Sequence, residues 1–210
     1  MIDNAFVTGL VSILIGYVLG SIPTAYLVAR WKTGKDIRKL GGGNVGGLNT
    51  YKEVGVVSAV IVAAVDLGKG AATVAITRYG LHFQETYVLI SATGAVMGHN
   101  WMPWLKFSGG KGMGADIGAL LVIMPAYGYL KELGIFAGII IVPLVATRNV
   151  ALSMGIGLVA LPFIGWLSIH SGLFVTWSLV TGLVIATKFT PTALAAIAKS
   201  SDLKDFIKGH

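Results

Sequence analysis

Residues 5–29 read AFVTGLVSILIGYVLGSIPTAYLVA, twenty-five positions without a charged side chain. A helix needs about 20 apolar residues to cross the hydrocarbon core of a bilayer. This run is long enough, and it sets the class of the whole chain. Pro23 marks a kink near its end. Six later stretches repeat the pattern, at 54–77, 86–105, 113–129, 133–147, 150–167 and 172–187. The expectation is an all-α integral membrane protein of about seven transmembrane helices, with 1–210 as a single membrane-embedded domain. Within it, 191–210 forms a polar tail. Leu194, Ile197, Leu203, Phe206 and Ile207 give that tail a weak apolar face for the membrane surface.

Composition agrees. Only 12% of residues are charged and 55% are hydrophobic, with mean hydropathy +0.79, whereas soluble domains carry about 25% charge. The chain has no cysteine, which excludes disulfides, thiolate metal sites and a cysteine nucleophile. The first apolar run lacks a basic leader and is too long for a signal-peptide core. Net charge is +7. The cations stand beside the spans, so they point to anionic lipid head groups rather than nucleic acid.

The same cations orient the chain. Arg30, Lys32, Lys35, Arg38, Lys39 and Lys52 fall in the first polar loop, against Asp36. Placing that loop in the cytoplasm puts Lys106, Lys111, Arg148 and the tail lysines there too, and leaves only Arg78 and Lys131 in the outer loops. Seven spans then put the N-terminus outside and the C-terminus inside. Two glycine-rich loops come to the cytoplasmic face.

The first is Gly41-Gly42-Gly43-Asn44-Val45-Gly46-Gly47-Leu48-Asn49. Glycine lets backbone amides approach an anion and adopt positive φ, and asparagine adds uncharged donors. The stretch reads as a phosphate pocket, with Lys52 closing it as a point charge. A plain flexible connection is the alternative. Its G-x-G-x-x-G spacing is not a dinucleotide fingerprint, because a span and a basic loop precede it instead of a strand. The second loop is Gly109-Gly110-Lys111-Gly112. It is not a Walker A motif, but a lysine between glycines at a helix start suits a phosphate. The alternative there is a basic turn that fixes topology.

Within the spans, Asp66 and Lys69 stand three positions apart and can pair. Such charges face inward and serve either the bundle or a substrate. Asp116 reads as structural. His99 is a helix-end anchor or a neutral base. Arg148 is a topology determinant. Neither a metal-ligand cluster nor a Ser–His–Asp set stands out, and no metal or cofactor is expected.

Taken in order, these segments resemble the bacterial acyl-phosphate:glycerol-3-phosphate acyltransferase family (PlsY-type). The matching pieces are Gly20-Ser21-Ile22-Pro23, Gly43-Asn44-Val45-Gly46 with Asn49, Asp66-Leu67-Gly68-Lys69-Gly70, Gly98-His99, and Phe107 to Gly112. The resemblance implies a seven-helix bacterial plasma-membrane enzyme with its active site facing the cytoplasm. It implies transfer of an acyl group from acyl phosphate to the sn-1 hydroxyl of glycerol 3-phosphate, giving lysophosphatidic acid and phosphate. Lys111, Lys52 and Asn49 would be catalytic. Gly42, Gly43, Asn44, Gly46, Gly109, Gly110, Gly112, Lys69 and His99 would hold substrate phosphate. The chain departs from the family where Gly42 replaces serine, Lys52 replaces arginine, Ala115 replaces threonine and Ala151 replaces a serine after Arg148. Pro103 stands one residue late, Ser153 lies two residues beyond Ala151, and the family's C-terminal histidine-and-asparagine segment is replaced around 188–192. Other classes stay open: an anion or phosphate-ester transporter, and an inactive lipid-binding relative. The sequence leaves the oligomeric state unassigned.

Overall fold

A computed structural model describes residues 4–199. Among these the secondary structure is helical and contains no strand. Leu203, Phe206 and Ile207 lie outside the described residues. Five helical segments are long and apolar enough to cross a membrane: Ala5–Thr33, Val56–Gly80, Leu130–Thr147, Val150–Ile169 and Gly172–Ala195. The chain divides into two compact units, Met1–Ile123 and Met124–His210.

The first unit begins with α1 (Ala5–Gly20), capped by the Asn4 carboxamide, which accepts from the Phe6 and Val7 amides. The expected kink is a full break. The chain turns at Ser21-Ile22-Pro23 and continues as α2 (Thr24–Thr33), because proline cannot donate to the preceding turn. α2 runs four residues past the expected span end and stops at Gly34, which is left-handed with φ +71°. A short α3 (Gly47–Glu53) follows the first glycine stretch. Asn49 and Lys52, expected in a loop, are therefore helical. α4 covers Val56–Ala75 and α5 covers Glu85–Asn100. The third span was expected to reach residue 105. It ends at Asn100 because Trp101 leaves the helical region, with φ −132° and ψ 71°, and Pro103 opens a 3-10 turn. α6 is Met113–Ala126. At 16 and 14 residues, α5 and α6 are only about 24 and 21 Å long.

Two glycine-lined contacts place the site. Gly16 and Gly20 of α1 meet Gly94 and Gly98 of α5. A Cβ on any of the four would overlap a backbone carbonyl of the other helix, at Ser91, Ala95, Ile13 and Tyr17 respectively. Lipid supplies no hydrophobic drive between helices, so small residues that bring backbones together provide the attraction. Likewise Gly70 of α4 abuts the Ala115 carbonyl, and Gly118 of α6 abuts that of Leu67. These contacts bring the polar middle of α4 against the start of α6.

The second unit holds α7 (Leu130–Thr147), α8 (Val150–Ile164) and α9 (Gly172–Lys199). Lys131 and Glu132 were expected in a turn. They form the first turn of α7, where an acid suits the helix N-terminus, and the Ser168 hydroxyl donates to Glu132 Oε1 at 2.7 Å. Arg148 is left-handed, with φ 55°, and the Ser153 hydroxyl bonds back to the Asn149 carbonyl at 2.9 Å. The last helix does not end before Pro191. The alanine-rich run after it favours helix, so residues 188–192 and the described part of the expected tail, to Lys199, continue α9.

Candidate phosphate-binding site

The two glycine loops meet in the first unit. Asp36 starts the approach: its carboxylate accepts from the Arg38 amide at 3.0 Å and caps a 3-10 turn, Ile37–Lys39. The Arg38 guanidinium returns two-pronged to the same carboxylate, with Nη2 2.6 Å from Oδ2, and sits over the Tyr26 ring at 5.4 Å. This guanidinium holds the Asp36 carboxyl below its usual range. Arg38 Nη1 then donates to the Leu105 carbonyl at 3.0 Å, which joins the first loop to the segment before the second. Ile37, Val45, Met102 and Leu105 are buried together beneath this clamp, with Ala25, Ala29 and Val62. Sequence reading counted Arg38 only as a charge. The signal available was Asp-x-Arg around one apolar residue.

Asn49 organises the first loop from within. Its amide nitrogen lies 3.1 Å from the Leu40 carbonyl and 3.4 Å from that of Ile37. Its oxygen accepts from the Gly42 amide at 3.3 Å. Other loop amides are also engaged, Gly43 on Leu40 and Gly46 on Asn44. A Cβ on Gly41 would fall 2.5 Å from Glu53 Oε1 and 2.6 Å from Asn49 Oδ1, so that side of the loop presents acceptors and repels an anion. Gly43 is left-handed, with φ +69°. Gly42 opens onto free space. Lys52 is exposed in the last turn of α3 and takes part in none of these bonds.

The second loop leaves α5 through a constrained turn. Lys106 and Phe107 are both left-handed, with φ 56° and 57°, a conformation that costs L-residues about 1–2 kcal/mol each. The turn is tied down by the Phe107 amide on the Met102 carbonyl at 2.9 Å and by the Arg38 clamp. Tyr17 Oη donates to the Trp101 carbonyl at 2.6 Å, and Trp104 Nε1 donates to Ser21 Oγ at 2.9 Å, which anchors the segment to the α1–α2 break. The Gly110 amide bonds the His99 carbonyl at 3.0 Å. Gly109 lies against the carbonyls of His99 and Asn100, and Gly110 against the His99 ring and the Val45 carbonyl. Gly110 is thus the point where the loops touch. Lys111 follows, half-buried, and burial lowers its ammonium pKa from the ordinary 10.5. Gly112 is left-handed with φ +79° and leads into α6.

Lys69 and His99 are buried, at 4% and 3% exposure. Lys69 Nζ lies 2.9 Å from Asp66 Oδ1 and 3.4 Å from the Ile22 carbonyl, the pairing expected from their spacing. Among the described residues no cluster of metal-ligating side chains occurs. Arg148 and Ser153 belong to the second unit.

The model of the glycerol-3-phosphate acyltransferase family matches residues 10–207. Glycerol-3-phosphate acyltransferase 1 of Dehalococcoides mccartyi is 49% identical over 199 residues, covering 95% of this chain and 96% of its own. The glycerol-3-phosphate acyltransferase of a Synechococcus strain, JA-2-3B'a(2-13), is 36% identical over 179 residues, 85% of this chain and 86% of its own. The crystal structure of an integral membrane glycerol 3-phosphate acyltransferase, PlsY (YgiH), in its glycerol 3-phosphate form superposes with TM-score 0.81 at 20% identity, over 96% of this chain and 94% of that one. Its lysophosphatidic acid form gives 0.74. These two likenesses concern the fold.

Proposed function

The chain belongs to the glycerol-3-phosphate acyltransferase family, and on that footing we infer that it acylates glycerol 3-phosphate in phospholipid synthesis. The donor assigned is acyl phosphate. The observation that carries the site assignment is the meeting of both glycine loops at Gly110, one residue before Lys111.

In this reading the helices form about seven spans of one membrane-embedded domain, with α5 and α6 completing the five longer ones. The N-terminus is outside, and the glycine loops face the cytoplasm of a bacterial plasma membrane. The acyl chain stays in the bilayer and glycerol 3-phosphate arrives from the aqueous side. Lys111 neutralises phosphate charge and stabilises the oxyanion that develops on the acyl carbonyl. Gly109 and Gly112 let the loop close on the end of α5, against the His99 and Asn100 carbonyls and the Asn100 side chain, which sets Lys111 at the N-terminal end of α6. Asn44 and Lys52 provide outer contacts. Asn49, Gly42, Gly43 and Gly46 shape the first loop through their internal bonds. Lys69 and His99 support the second loop from beneath.

The sn-1 hydroxyl oxygen bonds the acyl carbon as the acyl–phosphate C–O bond breaks. The hydroxyl proton leaves on the departing phosphate, so no protein base is required. Positioning an alcohol against an already activated anhydride supplies much of the rate. Acyl transfer by purified protein, with release of one phosphate per lysophosphatidate, tests the reading.

Two further outcomes follow. Gly42→Ser meets open space and is expected to keep stability within about 0.5 kcal/mol, as surface changes do, with acyl transfer unchanged or raised. A collapse of activity would show that this loop serves something else. Secondly, Lys111 acts as a cation, and its pKa lies below 10.5. The protonated form is lost as pH rises through the lowered value. Activity is therefore expected to fall on the alkaline side before pH 10.5, and Lys111→Arg is expected to shift that limb upward in whatever activity it keeps. A limb that stays in place in Lys111→Arg would assign it to another group.

A further inference from the structure

A buried polar node lies against the second glycine loop. Lys69 Nζ contacts Asp66 Oδ1 at 2.9 Å and reaches the Ile22 carbonyl at 3.4 Å. The same Asp66 oxygen stands 3.6 Å from His99 Nδ1. The opposite edge of the imidazole, Nε2 and Cδ2, packs on Gly110. One line of contacts therefore runs from the α1–α2 break through Lys69, Asp66 and the His99 ring to Gly110, with Lys111 next in the chain.

A carboxylate and an ammonium inside the membrane are costly. An apolar pair of similar volume would often hold a bundle as well. What an apolar pair lacks is a negative charge facing the buried Nδ1. The Asp66 carboxylate stands 3.6 Å from Nδ1, just beyond hydrogen-bond range, so its charge favours a proton on Nδ1 and leaves Nε2 as the edge turned to Gly110. A charge beside one ring nitrogen biases the tautomer and the orientation of the ring.

We propose that Asp66 is a positioning residue for acyl transfer: clamped by Lys69, it fixes the His99 ring that seats Gly110, and so aims Lys111 at the reacting phosphate. This rests on the acyl-transfer reading above. Lys69 serves as the clamp and not as a phosphate ligand.

The test is steady-state kinetics on the full chain in proteoliposomes, with acyl phosphate and labelled glycerol 3-phosphate. Asp66→Asn is expected to lower kcat about 10- to 100-fold, the usual loss when an orienting partner is removed. KM for either substrate should change less than about threefold, because the lost interaction is made in the transition state. In a His99→Gln background the same substitution is expected to add less than about twofold, since Asp66 acts through the ring. A merely structural Asp66 would give additive losses and a lowered melting temperature instead.

Asp66→Asn leaves a buried ammonium without its counter-charge, so Asp66→Leu with Lys69→Met is made in parallel. It is expected to fold and to show the same kcat loss. Wild-type kcat in either folded variant overturns the proposal, and so does additivity with His99→Gln. Failure of both to fold also overturns it, by assigning the pair to stability alone. An inactive wild-type chain overturns the acyl-transfer reading and this proposal together, an outcome distinct from an active wild type with an undiminished variant.

Discussion

Lys111→Ala is expected to form lysophosphatidate about 100- to 1,000-fold more slowly than the parent chain, the cost of removing one charge-stabilising donor from a transition state. Lys111 is half-buried between Gly110, where the two loops touch, and left-handed Gly112. Both neighbours lack the side chain that would clash with the loop's surroundings, His99 and Val45 at Gly110 and Asn100 and Val96 at Gly112. In the proposed reaction a cation fixed there meets a phosphate already bound and a carbonyl oxygen that gains charge only during transfer. The loss should fall mainly on kcat, with a smaller rise in KM from weakened ground-state binding. Lys111→Arg, which keeps the charge but changes its shape, should retain part of the rate. Measurement of initial rates in membranes matched for protein content decides the matter, and an unchanged rate in Lys111→Ala removes Lys111 from the site.

Gly110→Ala is expected to be the most damaging single-methyl change. The added Cβ would overlap the His99 ring and meet the Val45 carbonyl. Neither neighbour has room to move: His99 is packed against Asp66 and Val45 is sealed in the cluster under the Arg38 clamp. Over-packing of this kind typically costs about 1–3 kcal/mol, and a misplacement of about 1 Å at a reacting group can cost about 100-fold in rate. Activity should therefore fall about 100-fold while the protein still folds with a lowered melting temperature. Gly42→Ala, which meets open space, is the matched control and should do neither. Equal behaviour of the two variants would mean that the loops do not depend on their contact at Gly110.

The class of fold was legible because a bilayer imposes long apolar runs that no soluble core requires. Element ends were less so. Pro23 broke the first helix where sequence pattern gave only a kink, and the third ended early at Asn100 because the residues after it turn. Beyond Pro191 the alanine propensity carried the helix on. The Asp66–Lys69 pair was legible from spacing alone, since three residues is one helical turn. His99 as the next link was not, because it comes from another helix, thirty-three positions after Asp66. Asn49 looked like a donor toward substrate. Its amide instead satisfies carbonyls at Ile37 and Leu40, a role fixed by tertiary folding that composition cannot reveal. The Arg38 bridge to Leu105 was hidden for the same reason.

The most direct test gives the purified chain, in proteoliposomes, a long-chain acyl phosphate and labelled glycerol 3-phosphate. Label is expected in lysophosphatidate, with one phosphate released per molecule formed. Unmodified glycerol 3-phosphate that accumulates inside the vesicles, with no acylated product, would contradict acyl transfer and identify a transporter on the same fold.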